Sequence, residues 1–122
     1  DSVFEPGWMP DGRPPEINFV MGVETGMPPD PRFLDILLDY IKKESPWQVT
    51  AIGREEIWAL HRRAAELGGH LRTGVEDTFY LPDGSKTDSN GPLIEALAAI
   101  AVDRGRTIAS PEQARAILGV TR

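Results

Sequence analysis

The sequence predicts an α/β fold with a parallel sheet, and two features of its pattern support this prediction. Short apolar runs that are rich in β-branched and aromatic residues alternate with longer segments whose apolar residues recur at helical spacing. The connections between these segments are short, and strands that alternate with helices form parallel sheets with helical crossovers. The predicted order of elements is β–α–β–α–β–α–α. The strands are apolar without clean alternation, so both faces of the sheet are expected to be covered. An open doubly wound sheet and a barrel segment both fit the pattern.

The first βα unit is predicted to begin at residue 16. The run "EINFVMGV", residues 16–23, indicates a buried strand, and a loop rich in Pro and Gly follows it. A helix is expected from about Pro31 to Lys43, with Asp30 as its N-cap. Lys42 and Lys43 then lie at the C-terminal end, where the helix dipole favours cations. The apolar face of this helix comprises Phe33, Leu34, Leu37, Leu38 and Ile41.

The second unit repeats this arrangement. The run "WQVTAIG", residues 47–53, is the next predicted strand, and a helix near residues 54–67 follows it. Gly68 and Gly69 are typical of a helix C-terminus. The run "HLRTGVED", residues 70–77, is the third predicted strand. The apolar stripe of the second helix comprises Ile57, Leu60, Ala64 and Leu67.

The last third of the chain is predicted to be a loop followed by two helices. A turn-rich loop containing "PDG" precedes a helix near residues 92–104, which Ser89 or Asn90 would cap. The final helix is "SPEQARAIL", in which Ser110 and Gln113 have the spacing of a capping box.

Composition limits the class of protein. The 122 residues are enough for one ordinary domain, and 40% hydrophobic with 26% charged residues is typical of a globular chain. The net charge of −6 argues against a nucleic-acid or anionic membrane surface, because both partners require a basic surface. The chain has no cysteine, no apolar run of bilayer length and no signal-peptide pattern at its start. A soluble cytoplasmic protein is therefore expected, with no nucleic-acid or membrane partner.

The stretch "GGHLRTGVEDTFYL", residues 68–81, concentrates the candidate chemistry at the carboxyl end of the third strand. On an extended strand, His70, Arg72 and Glu76 would share one face, whereas Asp77 would lie on the other. Arg72 and Glu76 would then be about 13 Å apart, so they could serve one site only if the strand bends. Gly74 is the position where such a bend is easiest. The alternative is structural: the carboxylates cap a helix or pair with the arginine at a solvated edge.

Other conspicuous side chains have ordinary interpretations. His70 follows a helix end and is expected to pack or to form hydrogen bonds, and His61, in "HRR", is expected on the surface. Neither histidine has metal-ligand spacing. The aromatic residues Trp47, Trp58 and Phe79 are expected in the core. Without a GxGxxG or P-loop sequence, a nucleotide-binding open sheet is the weakest alternative.

"GGHLRTGVED", together with "AIGR" before it and "GPLIEALAAIAVDRGR" and "SPEQARAILG" after it, resembles the C-terminal part of the β-keto acid cleavage enzyme family. The resemblance spans about residues 16–120. It implies an α/β (β/α)₈ TIM barrel of which this chain forms the C-terminal half, as about the last three βα units of one domain over residues 1–122. Residues 1–15 would be an irregular lead-in or the remnant of a preceding strand.

The resemblance also implies a site and a reaction. Glu76 matches a glutamate that binds zinc, and Arg72 and Asp77 match the charged pair that removes a proton. The zinc would hold a β-keto acid as a Lewis acid. Acetyl-CoA would accept the attack, and the products would be acetoacetate and a new acyl-CoA.

The family pattern is incomplete in this sequence. A barrel of this kind needs about 250 residues, and the His-x-His pair that supplies the other zinc ligands does not occur. The chain is therefore expected to be a fragment, a truncated product or one part of a two-chain assembly, and to be inactive without the N-terminal half. Open sheet edges predict a homo-oligomer or a complementing N-terminal chain. The alternative is a non-catalytic, self-associating α/β module of the same ancestry.

Overall fold

The structure, a computed structural model, describes residues 12–120 of the chain. Residues 1–11, most of the predicted lead-in or strand remnant at residues 1–15, lie outside the described residues. The predicted order β–α–β–α–β–α–α is confirmed. The elements are β1 (Ile17–Met21), α1 (Pro31–Leu38), β2 (Trp47–Ala51), α2 (Ile57–Glu66), β3 (His70–Leu71), α3 (Asn90–Asp103) and α4 (Pro111–Leu118).

The three strands form one parallel sheet in the order β1-β2-β3, so the predicted parallel sheet is confirmed. Phe19 is in register with Val49, and Val49 is in register with Leu71. Since side chains alternate along each strand, these three residues share one face of the sheet.

Helices α1, α2 and α3 cover one face of this sheet. Apolar residues of α1, α2 and α3 form a single core with the face that carries Phe19, Val49 and Leu71. The opposite face is polar and partly open in the described part of the chain, and Asn18 and Val20 on β1 are exposed. The expectation that both faces are covered is therefore wrong for the described elements. The physical reason is topological: sequential strands joined by right-handed crossovers place successive helices on the same side.

Local capping explains where two helices begin. The Asp30 carboxylate accepts a hydrogen bond from Arg32 N at 2.9 Å, as predicted for the N-cap of α1. The predicted capping box of α4 is also confirmed, because Gln113 N donates to Ser110 Oγ and Ser110 N donates to Gln113 Oε1. None of the described helices is both long and apolar enough to cross a bilayer.

Two element boundaries differ from the prediction. Helix α1 ends at Leu38, since Asp39 and Tyr40 make tight i→i+3 hydrogen bonds instead of continuing the helix, and Lys42 and Lys43 therefore do not lie in its last turn. Strand β3 contains only two of the eight residues predicted.

Two predicted environments are also wrong. His61 is fully buried, at 0% exposure, and its ring centre lies 5.5 Å from that of Trp58. It lies one residue from Leu60 and four from Ile57, so it belongs to the buried stripe of α2 although its sequence neighbours are arginines. Phe79, expected in the core, is 57% exposed, whereas Trp47 and Trp58 pack in the core as predicted.

Candidate functional site

The candidate site lies at the carboxyl edge of the sheet, where Arg72 directly follows β3. Its guanidinium Nη1 donates to Thr50 Oγ1 at 2.9 Å, and Thr50 Oγ1 donates to Asn18 Oδ1 at 3.1 Å. Because side chains alternate along a strand, Asn18 of β1 and Thr50 of β2 both lie on the face of the sheet opposite Phe19 and Val49. Arg72 is thus held across the open face of the sheet by two neighbouring strands.

A turn at Gly74 brings the two carboxylates back to this arginine. Gly74 O accepts hydrogen bonds from Asp77 N at 2.9 Å and from Thr78 N at 3.1 Å. Val75 N donates to Asn90 Oδ1 at 2.9 Å, so the first residue of α3 holds the turn. The bend predicted at Gly74 is therefore present. The prediction of an extended strand as far as Asp77, which would have placed Asp77 on the opposite face from Arg72, is wrong.

Arg72 lies within ion-pair distance of both carboxylates. Arg72 Nη2 is 3.4 Å from Glu76 Oε2 and 3.5 Å from Asp77 Oδ1. The Glu76 side chain is 85% exposed, whereas the Asp77 side chain is 5% exposed. The sequence analysis named Arg72, Glu76 and Asp77, and the structure brings these three residues together.

Asp77 differs from an ordinary paired carboxylate. Its Oδ2 is buried and has no hydrogen-bond partner among the described residues. Burial raises the pKa of the Asp77 carboxyl above its usual value, the Arg72 guanidinium opposes this rise, and the Glu76 carboxylate adds to it. A buried carboxylate with one unpaired oxygen beside a guanidinium is suited to accept a proton.

The two histidines lie elsewhere. His70 lines a cavity of about 360 Å³ at the amino ends of the strands, together with Gln48 and Leu118. His61 is enclosed in the helix layer. Within residues 12–120, no group of three His, Cys, Asp or Glu side chains is placed to hold a metal ion. Glu76 is therefore an exposed carboxylate that could bind a cation, but it does not belong to a set of three ligands among these residues.

Three residues of the site were missed by sequence reasoning. Thr50 and Asn18 carry hydrogen-bonding groups within apolar strands, and Asn90 was considered only as a helix cap. One signal was present for Thr50: a polar residue in a strand whose predicted neighbours are apolar. The contact of Asn90 spans 15 residues and has no local signal.

Comparison with known proteins agrees with the resemblance. The model of the beta-keto acid cleavage enzyme family matches residues 2–120. The chain is 40% identical over 109 residues to a 3-keto-5-aminohexanoate cleavage enzyme of Acetoanaerobium sticklandii, a match that covers 89% of this chain and 40% of the relative. It is 37% identical over 107 residues to a 3-oxoadipate:acetyl-CoA acetyltransferase of Cupriavidus necator, covering 85% of this chain and 37% of the relative.

A third relative, the 3-keto-5-aminohexanoate cleavage enzyme of Fusobacterium nucleatum, is 36% identical over 110 residues, covering 90% of this chain and 39% of the relative. The chain thus spans about two-fifths of the length of these curated relatives. Because the family model extends over nearly all of the sequence and the parallel α/β fold agrees with it, the chain belongs to the beta-keto acid cleavage enzyme family.

Proposed function

We propose that this chain supplies the arginine and aspartate of a site that converts a β-keto acid and acetyl-CoA to acetoacetate and a new acyl-CoA. The single observation that carries the proposal is the buried, half-unpaired Asp77 carboxylate beside Arg72 at the carboxyl edge of a parallel sheet. Parallel α/β enzymes place their chemistry at this edge. The names of two relatives support the reaction class, since one cleaves a keto acid and the other transfers acetyl groups from acetyl-CoA.

We further propose that the sheet belongs to a (β/α)₈ barrel whose remaining strands lie outside this chain. The layer of α1, α2 and α3 on one face and the polar side chains on the other support this, because a barrel has its helices on its outer side. A doubly wound sheet would carry helices on both faces. In the barrel, Asn18, Thr50 and Arg72 would face the interior.

Arg72 would bind the carboxylate of the keto acid. The Arg72 side chain is 40% exposed, and a guanidinium can present two parallel N–H groups, the geometry that carboxylates bind best. Thr50 fixes the orientation of the guanidinium through Nη1.

Asp77 would act as the general base. Its Oδ2 would remove the proton on the carbon between the keto and carboxylate groups, and the resulting carbanion would attack the acetyl carbonyl of acetyl-CoA and release the CoA thiolate. The thiolate would then attack the original keto carbonyl and break the adjacent C–C bond. Asp77 would return its proton to the departing carbanion, so that acetoacetate and the new acyl-CoA balance the substrates.

For a zinc ion, we propose that this chain supplies one ligand, Glu76. Glu76 is exposed enough to bind a cation, but a catalytic zinc site needs three protein ligands. The whole chain has two histidines and no cysteine, and His61 is enclosed in the helix layer. We therefore propose that Glu76 would hold zinc together with ligands from the rest of a barrel. The bound metal would polarise the keto oxygen as a Lewis acid.

The proposal is tested with two variants in a chain that includes the rest of the barrel. Glu76→Gln removes the anionic ligand and should lower zinc content. Arg72→Lys keeps the charge but loses the planar fork, so zinc content should stay near normal while the single-turnover rate falls by about 10²-fold. Arg62→Lys, on the exposed side of α2, is the matched control and should change neither quantity.

Full zinc content in Glu76→Gln would contradict the ligand role, and normal turnover in Arg72→Lys would contradict the substrate-binding role. If the unmodified barrel shows no cleavage of any β-keto acid tested with acetyl-CoA, the alternative of a non-catalytic, self-associating module is favoured instead.

A further inference from the structure

Two cationic side chains converge on one tyrosine beyond the carboxyl edge of the sheet. Arg54 Cζ lies 4.7 Å from the centre of the Tyr80 ring, and Lys86 Nζ lies 5.3 Å from it. Arg54 belongs to the loop after β2, whereas Tyr80 and Lys86 belong to the loop after the Gly74 turn and form an antiparallel bridge. We call these three residues the Tyr80 cluster.

The Tyr80 cluster is held by backbone contacts and is therefore preorganised. Tyr80 O accepts a hydrogen bond from Trp58 Nε1 at 2.9 Å, and Trp58 is 1% exposed. Tyr80 N donates to Thr78 Oγ1 at 3.1 Å. Gly53 N donates to Asp77 O at 3.4 Å, which joins the loop of Arg54 to the loop of Tyr80. Binding an anion here would cost little ordering of the backbone.

The charges of the Tyr80 cluster are unusual for this chain, whose net charge is −6. Two carboxylates lie near Arg54: Glu55 Oε2 is 3.7 Å from Arg54 Nε, and Glu56 Oε1 accepts a hydrogen bond from Arg54 N at 3.1 Å. The Arg54 side chain nevertheless remains 66% exposed. Lys86 is exposed and lines an open groove of about 560 Å³ with Tyr80, Phe79, Thr87 and Asp88. Lys86 lines the groove and Arg54 adjoins it through the Tyr80 ring, so both cations are accessible to a phosphate-bearing ligand despite the Asp88 carboxylate in the groove.

Phe79 adds a second requirement for the ligand. It is 57% exposed, and the loop that presents it is fixed by a hydrogen bond from Thr87 N to Phe79 O at 2.9 Å. An exposed aromatic ring beside paired cations fits a phosphorylated purine nucleotide, because the base can stack on the ring while the phosphates contact the cations.

We propose that Arg54, Lys86 and Phe79 bind the adenosine phosphate end of the acyl-CoA substrate. The proposal rests on the proposed function for its choice of nucleotide. Tyr80 lies three positions after Asp77 in the chain, a reach of at most about 11 Å. The flexible pantetheine arm of CoA spans this distance, so a nucleotide in the groove delivers its thioester to the buried carboxylate.

The test is calorimetry on the full chain with three probes: CoA, adenosine 3′,5′-bisphosphate and pantetheine. Arg54→Gln and Lys86→Gln should each weaken the binding of CoA and of the bisphosphate by about tenfold, the effect of about one charge-assisted contact. Phe79→Ala should weaken the same two probes. Pantetheine, which lacks the nucleotide, should respond to none of these changes. Arg62→Gln removes the same charge from α2 and is the matched control.

A melting temperature for each variant distinguishes a structural role from a binding role. If Arg54 and Lys86 serve only to hold Tyr80, both substitutions lower the melting temperature and leave the nucleotide affinities unchanged, which overturns the proposal. Absence of binding of both CoA and the bisphosphate to the unmodified chain also overturns it. Bound nucleotide in a protein that fails to cleave keto acids would separate this site from the proposed reaction.

Discussion

The buried His61 makes a strong prediction about pH. Its side chain is fully buried on α2, and both ring nitrogens lack a hydrogen-bond partner within the described part of the chain. Burial lowers the pKa of the His61 imidazole from 6.5 to about 4, because no neighbouring group compensates the lost hydration of the charged form. The folded protein therefore keeps this imidazole neutral at a pH where the unfolded chain already binds a proton.

The sign and size of the effect follow from this difference. Above pH 6.5 both states carry a neutral imidazole, and the residue contributes no pH dependence. As the pH falls from 6.5 towards 4, the unfolded state gains a proton that the folded state excludes, so the free energy of unfolding decreases. At 1.36 kcal/mol per pH unit, the loss is about 2 kcal/mol at pH 5 and about 3 kcal/mol at pH 4. Small domains have only about 5–15 kcal/mol of stability in total.

The assay is urea unfolding of the unmodified chain and of His61→Leu at pH 7.5, 6 and 5, at one protein concentration because association contributes to apparent stability. His61→Leu keeps an apolar helix-forming side chain of similar size and removes the titrating group. Carboxylates affect both proteins equally, so the difference between the two slopes isolates the histidine. Identical pH dependence in the two proteins, or an NMR titration of His61 with a midpoint near 6.5, would refute the reasoning.

Three further predictions concern the site and the sheet. Asp77→Asn in a chain that contains the whole barrel should retain zinc and lose about 10²–10⁴-fold in single-turnover rate, since an amide cannot accept the proton; near-normal turnover would show that Asp77 is not the base. The 122-residue chain alone should bind zinc weakly, with a dissociation constant above about 1 μM, because Glu76 has no sufficient set of partner ligands; calorimetry that finds tighter binding would reveal ligands not recognised here. The same chain should dimerise or aggregate through the edges of β1 and β3 that no other strand within residues 12–120 pairs with; a compact monomer in sedimentation equilibrium would contradict this and favour a self-contained open sheet.

The elements that the sequence predicted well are those whose signals are local. The capping box of α4 and the Asp30 cap of α1 depend on residues within one turn of each other. The apolar stripe of α2 has the helical period, and its buried residues follow that period. The prediction for His61 was wrong because its charged neighbours in sequence suggested a surface position. In the helix, His61 lies on the same side as Ile57 and Leu60, and that side is buried.

The end of the third strand could not be predicted in this way. The alternation of polar and apolar residues from His70 to Asp77 is compatible with a strand, and only Gly74 indicated a break. The turn depends on Asn90, which lies 15 residues away from Val75 in sequence. The sequence therefore predicted that Arg72, Glu76 and Asp77 belong together, but their arrangement depends on a tertiary contact. Sequence periodicity carries no information about such a contact.

The geometry of the site depends on the helix layer as much as on the strands. Leu93 and Leu97 anchor α3 in the core, and this fixes the position of Asn90 at its first turn. Asn90 holds Val75 N, and the turn that follows carries Asp77 back to Arg72.

The other side of the site is fixed by β2 and the loop after it. Thr50 orients the Arg72 guanidinium, and Gly53 N contacts Asp77 O. Each charged group is thus positioned by a different element of the fold. Because a buried carboxylate that loses its nearby cation is costly, the packing that fixes α3 also determines whether Asp77 can remain buried in its ionised form. Substitution of the apolar residues of α3 is therefore expected to disturb the pairing of Arg72 with Asp77 as well as the core.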